Sequence, residues 1–130
     1  MAVKLLCIGD IHLGRRPGRL PSDLFAEEGA ALGPLAAWRR AVDEAIDRRV
    51  DAVLLAGDVV EQEDDFYEAF APLEEGVRRL QDAGIAVLAV AGNHDVAVLP
   101  RLARVIDSFR LLGAGGRWEE ATVEGEDGHR

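Results

Sequence analysis

The chain has 130 residues, a hydrophobic fraction of 48% and a charged fraction of 30%, a composition that suits one folded domain and excludes a disordered polymer. Its net charge of −9 argues against a basic nucleic-acid coat, although bound divalent cations and local arginines can offset carboxylates at a site. One cysteine excludes an internal disulfide framework, no apolar run is long enough to cross a membrane, and the start Met1–Leu6 is too soon polar for a signal peptide, so a cytoplasmic location is expected by default.

In chain order, Val3 to Ile8 reads as a buried strand ending at Gly9-Asp10-Ile11-His12-Leu13-Gly14. Cys7, inside it, is expected to be a small core residue. A loop rich in Gly, Pro and Arg follows, and Pro34 then opens a helix to about Arg49, because a proline at the first helical position loses only an N–H that would be unpaired anyway. Leu35, Trp38, Val42, Ile46 and Val50 recur at helical spacing, which places Trp38 in the core. Ala52 to Ala56 reads as a second strand, ending at Gly57-Asp58-Val59-Val60-Glu61. A second helical stretch, with Phe66, Phe70, Leu73, Val77 and Leu80 on one face, runs to about Ala83, with a kink or restart expected at Pro72 and Gly84 as its C-terminal cap.

A third strand, Ile85 to Val90, leads into Gly92-Asn93-His94-Asp95. A third helix is predicted from Pro100 to about Ser108, and two short strands around a Gly-rich turn between Leu111 and Val123. The order β-α-β-α-β-α predicts an α/β fold with a mainly parallel sheet and right-handed crossovers. Its apolar strands should be covered on both faces.

The three motifs carry the chemistry. Open α/β sheets assemble sites at the carboxyl ends of their strands, so three ligand-bearing loops at three such ends imply one shared site. Carboxylate and amide oxygens suit Mg²⁺ and Mn²⁺, and imidazole shifts preference toward Mn²⁺, Fe or Zn²⁺. Asp10 and His12, two apart, can point to the same side of an extended segment and hold one metal. Asp58 can reach between two metals, Asn93 offers a carbonyl oxygen to the second, and His94 can point toward a leaving group. Gly9, Gly57 and Gly92 each precede a ligand and permit close backbone approach. Taken singly, each motif is an ordinary turn signal. Their recurrence in order after three apolar strands is what points to a dinuclear site.

These motifs resemble those of the calcineurin-like metallophosphoesterases, whose signature runs Asp-x-His, Gly-Asp and Gly-Asn-His-Asp/Glu before two later histidine motifs. The resemblance covers roughly Lys4 to Asp95. It implies the N-terminal half of a four-layer α/β/β/α sandwich, with two divalent metal ions, Mn²⁺ foremost, held by Asp10, His12, Asp58 and Asn93. It also implies a catalytic His94, acting as general acid or transition-state stabiliser, with Glu61 at the position of an acid that orients this histidine. The start further resembles the SbcD-like nuclease subunits of double-strand-break repair complexes, through Asp10-Ile11-His12-Leu13-Gly14 and Ala41 to Ile46 leading to Val50-Asp51-Ala52-Val53. That resemblance implies a phosphodiesterase or exonuclease on DNA, and an ATPase partner subunit.

The later histidine motifs have no match. Only His129 follows His94, and Asp127-Gly128-His129-Arg130 reads as a solvated terminus. Residues 1–130 are therefore expected to be a metallophosphoesterase domain incomplete at its C-terminus. Two alternatives follow: a catalytically silent module that self-associates or needs a partner chain, and a phosphoesterase for small phosphate esters. Arg15, Arg16 and Arg19 offer phosphate contacts or a solvated basic loop. Glu63, Asp64 and Asp65 read as a solvated acidic turn, and Trp118 as a residue for packing on a second sheet, which would leave an apolar patch open to homo-oligomer formation.

Overall fold

A computed structural model describes residues 2–15 and 33–125. Arg16, Arg19 and His129 lie outside the described residues. The elements are β1 (Leu5–Ile8), α1 (Pro34–Asp47), β2 (Ala52–Ala56), α2 (Phe66–Asp82), β3 (Ala86–Val90), α3 (Leu99–Val105) and β4 (Phe109–Leu111), with 3-10 turns at Glu63–Asp65 and Ala114–Gly116. The four strands form one parallel sheet in the order β1-β2-β3-β4. The register pairs Leu5 with Ala52, Ala52 with Ala86, and Val87 with Phe109. This is the α/β architecture that the alternating pattern predicts, with the first three strands and the three helices close to where hydrophobic periodicity put them.

The covering of the sheet differs from expectation. Strands added in sequence order all cross over in the same direction, and right-handed crossovers then bring every helix to the same face. On that face Val53, Leu55, Val87, Ala89 and Phe109 are buried in one core with Trp38, Leu73, Val77, Leu80 and Leu102 of the helices. The other face is open. Leu5 is 46% and Val90 45% exposed, and Ala56 and Ala86 are exposed beside them. Cys7 belongs to this face, so it is exposed and not a core residue as its strand context suggested.

Helix α2 runs unbroken through Pro72 instead of restarting there. Its partner helix supports that stretch. Trp38 Nε1–H of α1 donates to the Pro72 carbonyl at 2.9 Å, and the Trp38 ring lies where a Cβ at Gly76 would come within 2.5 Å. Gly84, at φ +76°, follows the helix end and donates its N–H to the Gln81 carbonyl, as a capping glycine does. The tail carries one strand, the parallel β4, and among the described residues after Leu111 only the 3-10 turn. The two short strands expected between Leu111 and Val123 do not form among the described residues; β4 lies just before that stretch, with Phe109 buried against the helix-covered face. Trp118 is fully exposed.

Candidate metal centre

The three motifs meet beyond the carboxyl ends of β1, β2 and β3. The first two loops are zipped together by main-chain bonds. His12 N–H donates to Asp58 O at 2.9 Å, Leu13 N–H to Val59 O at 2.8 Å, and Glu61 N–H to Leu13 O at 2.9 Å. Buried Leu13, Val59 and Val60 anchor both loops in the core. A tight backbone results. Asp10, His12 and Asp58 have φ of 53°, 54° and 50°, a left-handed conformation that costs a non-glycine residue about 1–3 kcal/mol and concentrates at functional sites. Asp10 and His12 thus come together through two left-handed residues flanking Ile11, not through the extended segment the sequence suggested. His12 Nε2 lies 3.6 Å from Asp10 Oδ1.

The second and third loops approach closely through glycine. A Cβ at Gly92 would sit 2.2 Å from Asp58 Oδ1, and one at Gly57, itself at φ +82°, would sit 3.1 Å from Gly92 Cα. Gly9 has no such requirement: its nearest neighbour would be 4.0 Å away. His94 N–H donates to Asp58 Oδ1 at 3.0 Å, so the Asp58 carboxylate is held between the first and third motifs.

Asp95, to which sequence reasoning gave no role, joins these two loops. It is 0% exposed. One carboxylate oxygen accepts from Val59 N–H at 2.7 Å and Val60 N–H at 3.3 Å, and the other from Gly92 N–H at 2.7 Å. The signal available in the sequence was the acid ending Gly-Asn-His-Asp, a short acceptor placed where turn amides need partners.

Two overlapping clusters of ligand atoms result. Asp10, His12 and Asp58 offer atoms all within 4.8 Å of one another, and so do His12, Glu61 and His94. The imidazoles of His12 and His94 meet edge to face, with centroids 5.1 Å apart. Glu61 contacts both. Its Oε2 is 2.7 Å from His12 Nδ1, and its main-chain carbonyl is 3.1 Å from His94 Nδ1. Its carboxylate therefore faces His12, whereas its carbonyl meets His94. Asn93 is exposed in the same turn as His94. The oxygen and imidazole donors of Asp10, His12 and Asp58, converging on strained backbone, fit a divalent cation.

Beside this centre, Asp65 closes the 3-10 turn against Gly14. A Cβ at Gly14 would meet the Asp65 carboxylate at 2.6 Å. Burial, and then the nearby Glu68 charge, push the Asp65 carboxyl above the usual carboxylate range, and its Oδ2 is buried without a hydrogen-bond partner among the described residues.

A parallel sheet with acid and histidine side chains converging beyond three strand ends defines a class, and comparison with known proteins agrees with it. The calcineurin-like phosphoesterase family model matches residues 3–128, and the chain belongs to that family. Among its relatives, the DNA double-strand break repair protein Mre11 of Aeropyrum pernix is 37% identical over 71% of this chain and 21% of its own length. Mre11 of Haloferax volcanii is 32% identical over 88% of this chain and 24% of its own length. The chain thus spans about a quarter or less of the length of these relatives. A crystal structure of a dimetal phosphatase from Danio rerio superposes with a TM-score of 0.50 at 19% identity, over 78% of this chain and 33% of that one, and shares the fold.

Proposed function

We propose that this chain carries the metal site of a phosphodiesterase that acts on DNA ends. The observation that carries the reading is the convergence of Asp10, His12 and Asp58 on one point, with the third motif hydrogen-bonded to the Asp58 carboxylate. Asp10 and His12 would hold one cation, Asp58 would be shared, and Asn93 would face the second. Divalent cations bound there would supply Lewis acidity toward a phosphoryl oxygen and a nucleophile at neutral pH. Mn²⁺ is the cation we favour, from the mixed oxygen and imidazole donors.

The residues of the chain do the rest. The main-chain carbonyl of Glu61 accepts a hydrogen from His94 Nδ1, which leaves Nε2 of this exposed ring for substrate. In its protonated form that ring would donate a proton to the departing oxygen and offset charge on the phosphoryl group. Asp95 and Gly92 keep the loops of Asp58 and His94 in register. DNA as the substrate is supported by the names of the Mre11 relatives, and an ATPase partner by the resemblance of the first motif and α1 to the SbcD-like group.

The open sheet face favours a second reading, in which the domain comprising residues 1–130 is silent until further chain or a second copy covers that face. A third keeps the reaction and changes the substrate to a small phosphate ester. Mn²⁺-dependent hydrolysis of DNA ends, of a bis-aryl phosphate diester and of an aryl phosphate monoester distinguishes the three. The proposal expects diester and DNA cleavage, reduced at least about a hundredfold by Asp58→Asn. Monoester cleavage alone would favour the small-ester reading, and no turnover on any substrate the silent module.

A further inference from the structure

His12 belongs to both ligand clusters, and its two ring nitrogens face different groups. Nε2 points toward Asp10, whereas Nδ1 is 2.7 Å from Glu61 Oε2. That second contact is close, but it is not aligned as a hydrogen bond. Both atoms are buried, and neither has a hydrogen-bond partner among the described residues. Native proteins rarely leave buried polar atoms in this state, and a binding site for an ion is one physical reason to do so. A His94 ring nitrogen completes the group within 4.8 Å, on an exposed side chain that leaves room for water.

We propose that His12, Glu61 and His94 form a second cation site, selective for Zn²⁺, whose filling excludes a cation from Asp10–His12–Asp58. Two imidazoles and one carboxylate with an open fourth position are a zinc donor set. Two nitrogens among three donors favour Zn²⁺ over Mg²⁺ or Mn²⁺. Exclusion follows from counting lone pairs. A neutral imidazole carries its hydrogen on one nitrogen and has one lone pair on the other. When His12 Nδ1 binds Zn²⁺, Nε2 holds the proton and cannot bind a metal. When Nε2 binds a metal, Nδ1–H turns to the Glu61 carboxylate. The zinc site stands on its own geometry; the exclusion rests on the reading of Asp10–His12–Asp58 as a cation site.

Two near-isosteric variants separate the clusters. In Glu61→Gln the amide oxygen can still accept from His12 Nδ1–H, but a neutral amide is a poor zinc ligand. In Asp58→Asn the side-chain oxygen can still accept from His94 N–H, but the shared carboxylate is gone. The metal-free chain and both variants, checked for folding by circular dichroism, are titrated calorimetrically with Zn²⁺ and with Mn²⁺. X-ray absorption of the zinc-loaded chain counts imidazole ligands. The proposal expects zinc binding in the wild type and Asp58→Asn, weakened at least about tenfold in Glu61→Gln, with two imidazoles on the metal. Mn²⁺ should show the reverse dependence, binding the wild type and Glu61→Gln but not Asp58→Asn. Prior zinc should lower Mn²⁺ affinity at least about tenfold. Zinc binding that follows Asp58 instead of Glu61, independent binding of the two metals, or no zinc binding by the wild type would each overturn the proposal. Absence of Mn²⁺ binding by the wild type would remove the proposed function and the exclusion together, leaving the zinc site to be judged by its dependence on Glu61.

Discussion

Asp95 links the second and third loops through three main-chain N–H groups, and it does so from full burial. In Asp95→Asn one of the two accepting oxygens becomes an NH₂ group facing an amide donor. The expected loss is about 1–3 kcal/mol in urea unfolding, the range for leaving a buried donor unmatched. Gly92→Ala acts on the same loops differently, because its Cβ would displace the Asp58 carboxylate. Mn²⁺ affinity should fall at least about tenfold, and calorimetry against the unfolding midpoint checks that binding suffers more than stability. Asp65 gives a pH signature. Its carboxyl is raised in the folded state, so the folded state favours the protonated form. The chain should therefore lose stability as pH rises from the ordinary carboxylate value through the raised folded value, and regain it as pH falls back through that window. Asp65→Asn should raise the melting midpoint at neutral pH and flatten this dependence.

At the scale of elements, Trp38 and Gly76 fix how α1 lies on α2. Replacing Gly76 by Ala favours the helix by about 1 kcal/mol in isolation, but the new Cβ meets a buried indole, and overpacking of this kind costs about 1–3 kcal/mol. The net change should be destabilising, by up to about 2 kcal/mol in urea unfolding. The sequence made the three helices and first three strands legible through periodicity, since the apolar stripe of Phe70, Leu73, Val77 and Leu80 has one helical reading. Pro72 signalled a kink or a restart, and the restart does not occur: α2 is continuous through it, in a stretch packed on α1 through Trp38 that propensity alone cannot see. The three acid and histidine motifs were legible because each follows a strand. Asp95 as a brace, the left-handed backbone at Asp10, His12 and Asp58 and the turning of the Glu61 carboxylate toward His12 were not, since each depends on contacts with another loop.

For the whole molecule, the order of the strands decides what the sequence left open. Sequential right-handed crossovers put α1, α2 and α3 together and leave Leu5, Cys7, Ala56, Ala86 and Val90 uncovered. Alternation of apolar residues cannot say which face is covered, so the reading of Cys7 as core failed there. An aromatic disulfide reagent should modify Cys7 in the native chain at a rate close to that in denaturant; strong protection of the thiol would show that the face is covered in solution. The sheet's main consequence for function is that it carries three loops to one edge. That convergence is tested most directly by adding substoichiometric Mn²⁺ to the isotope-labelled chain and recording which amide signals broaden. With a shared centre, residues 10–13, 58–61 and 92–95 should broaden together, while Ala86 and Phe109, placed toward the opposite ends of β3 and β4, stay sharp. Broadening confined to one loop, or centred on the acidic turn Glu63–Asp65, would contradict a shared metal centre.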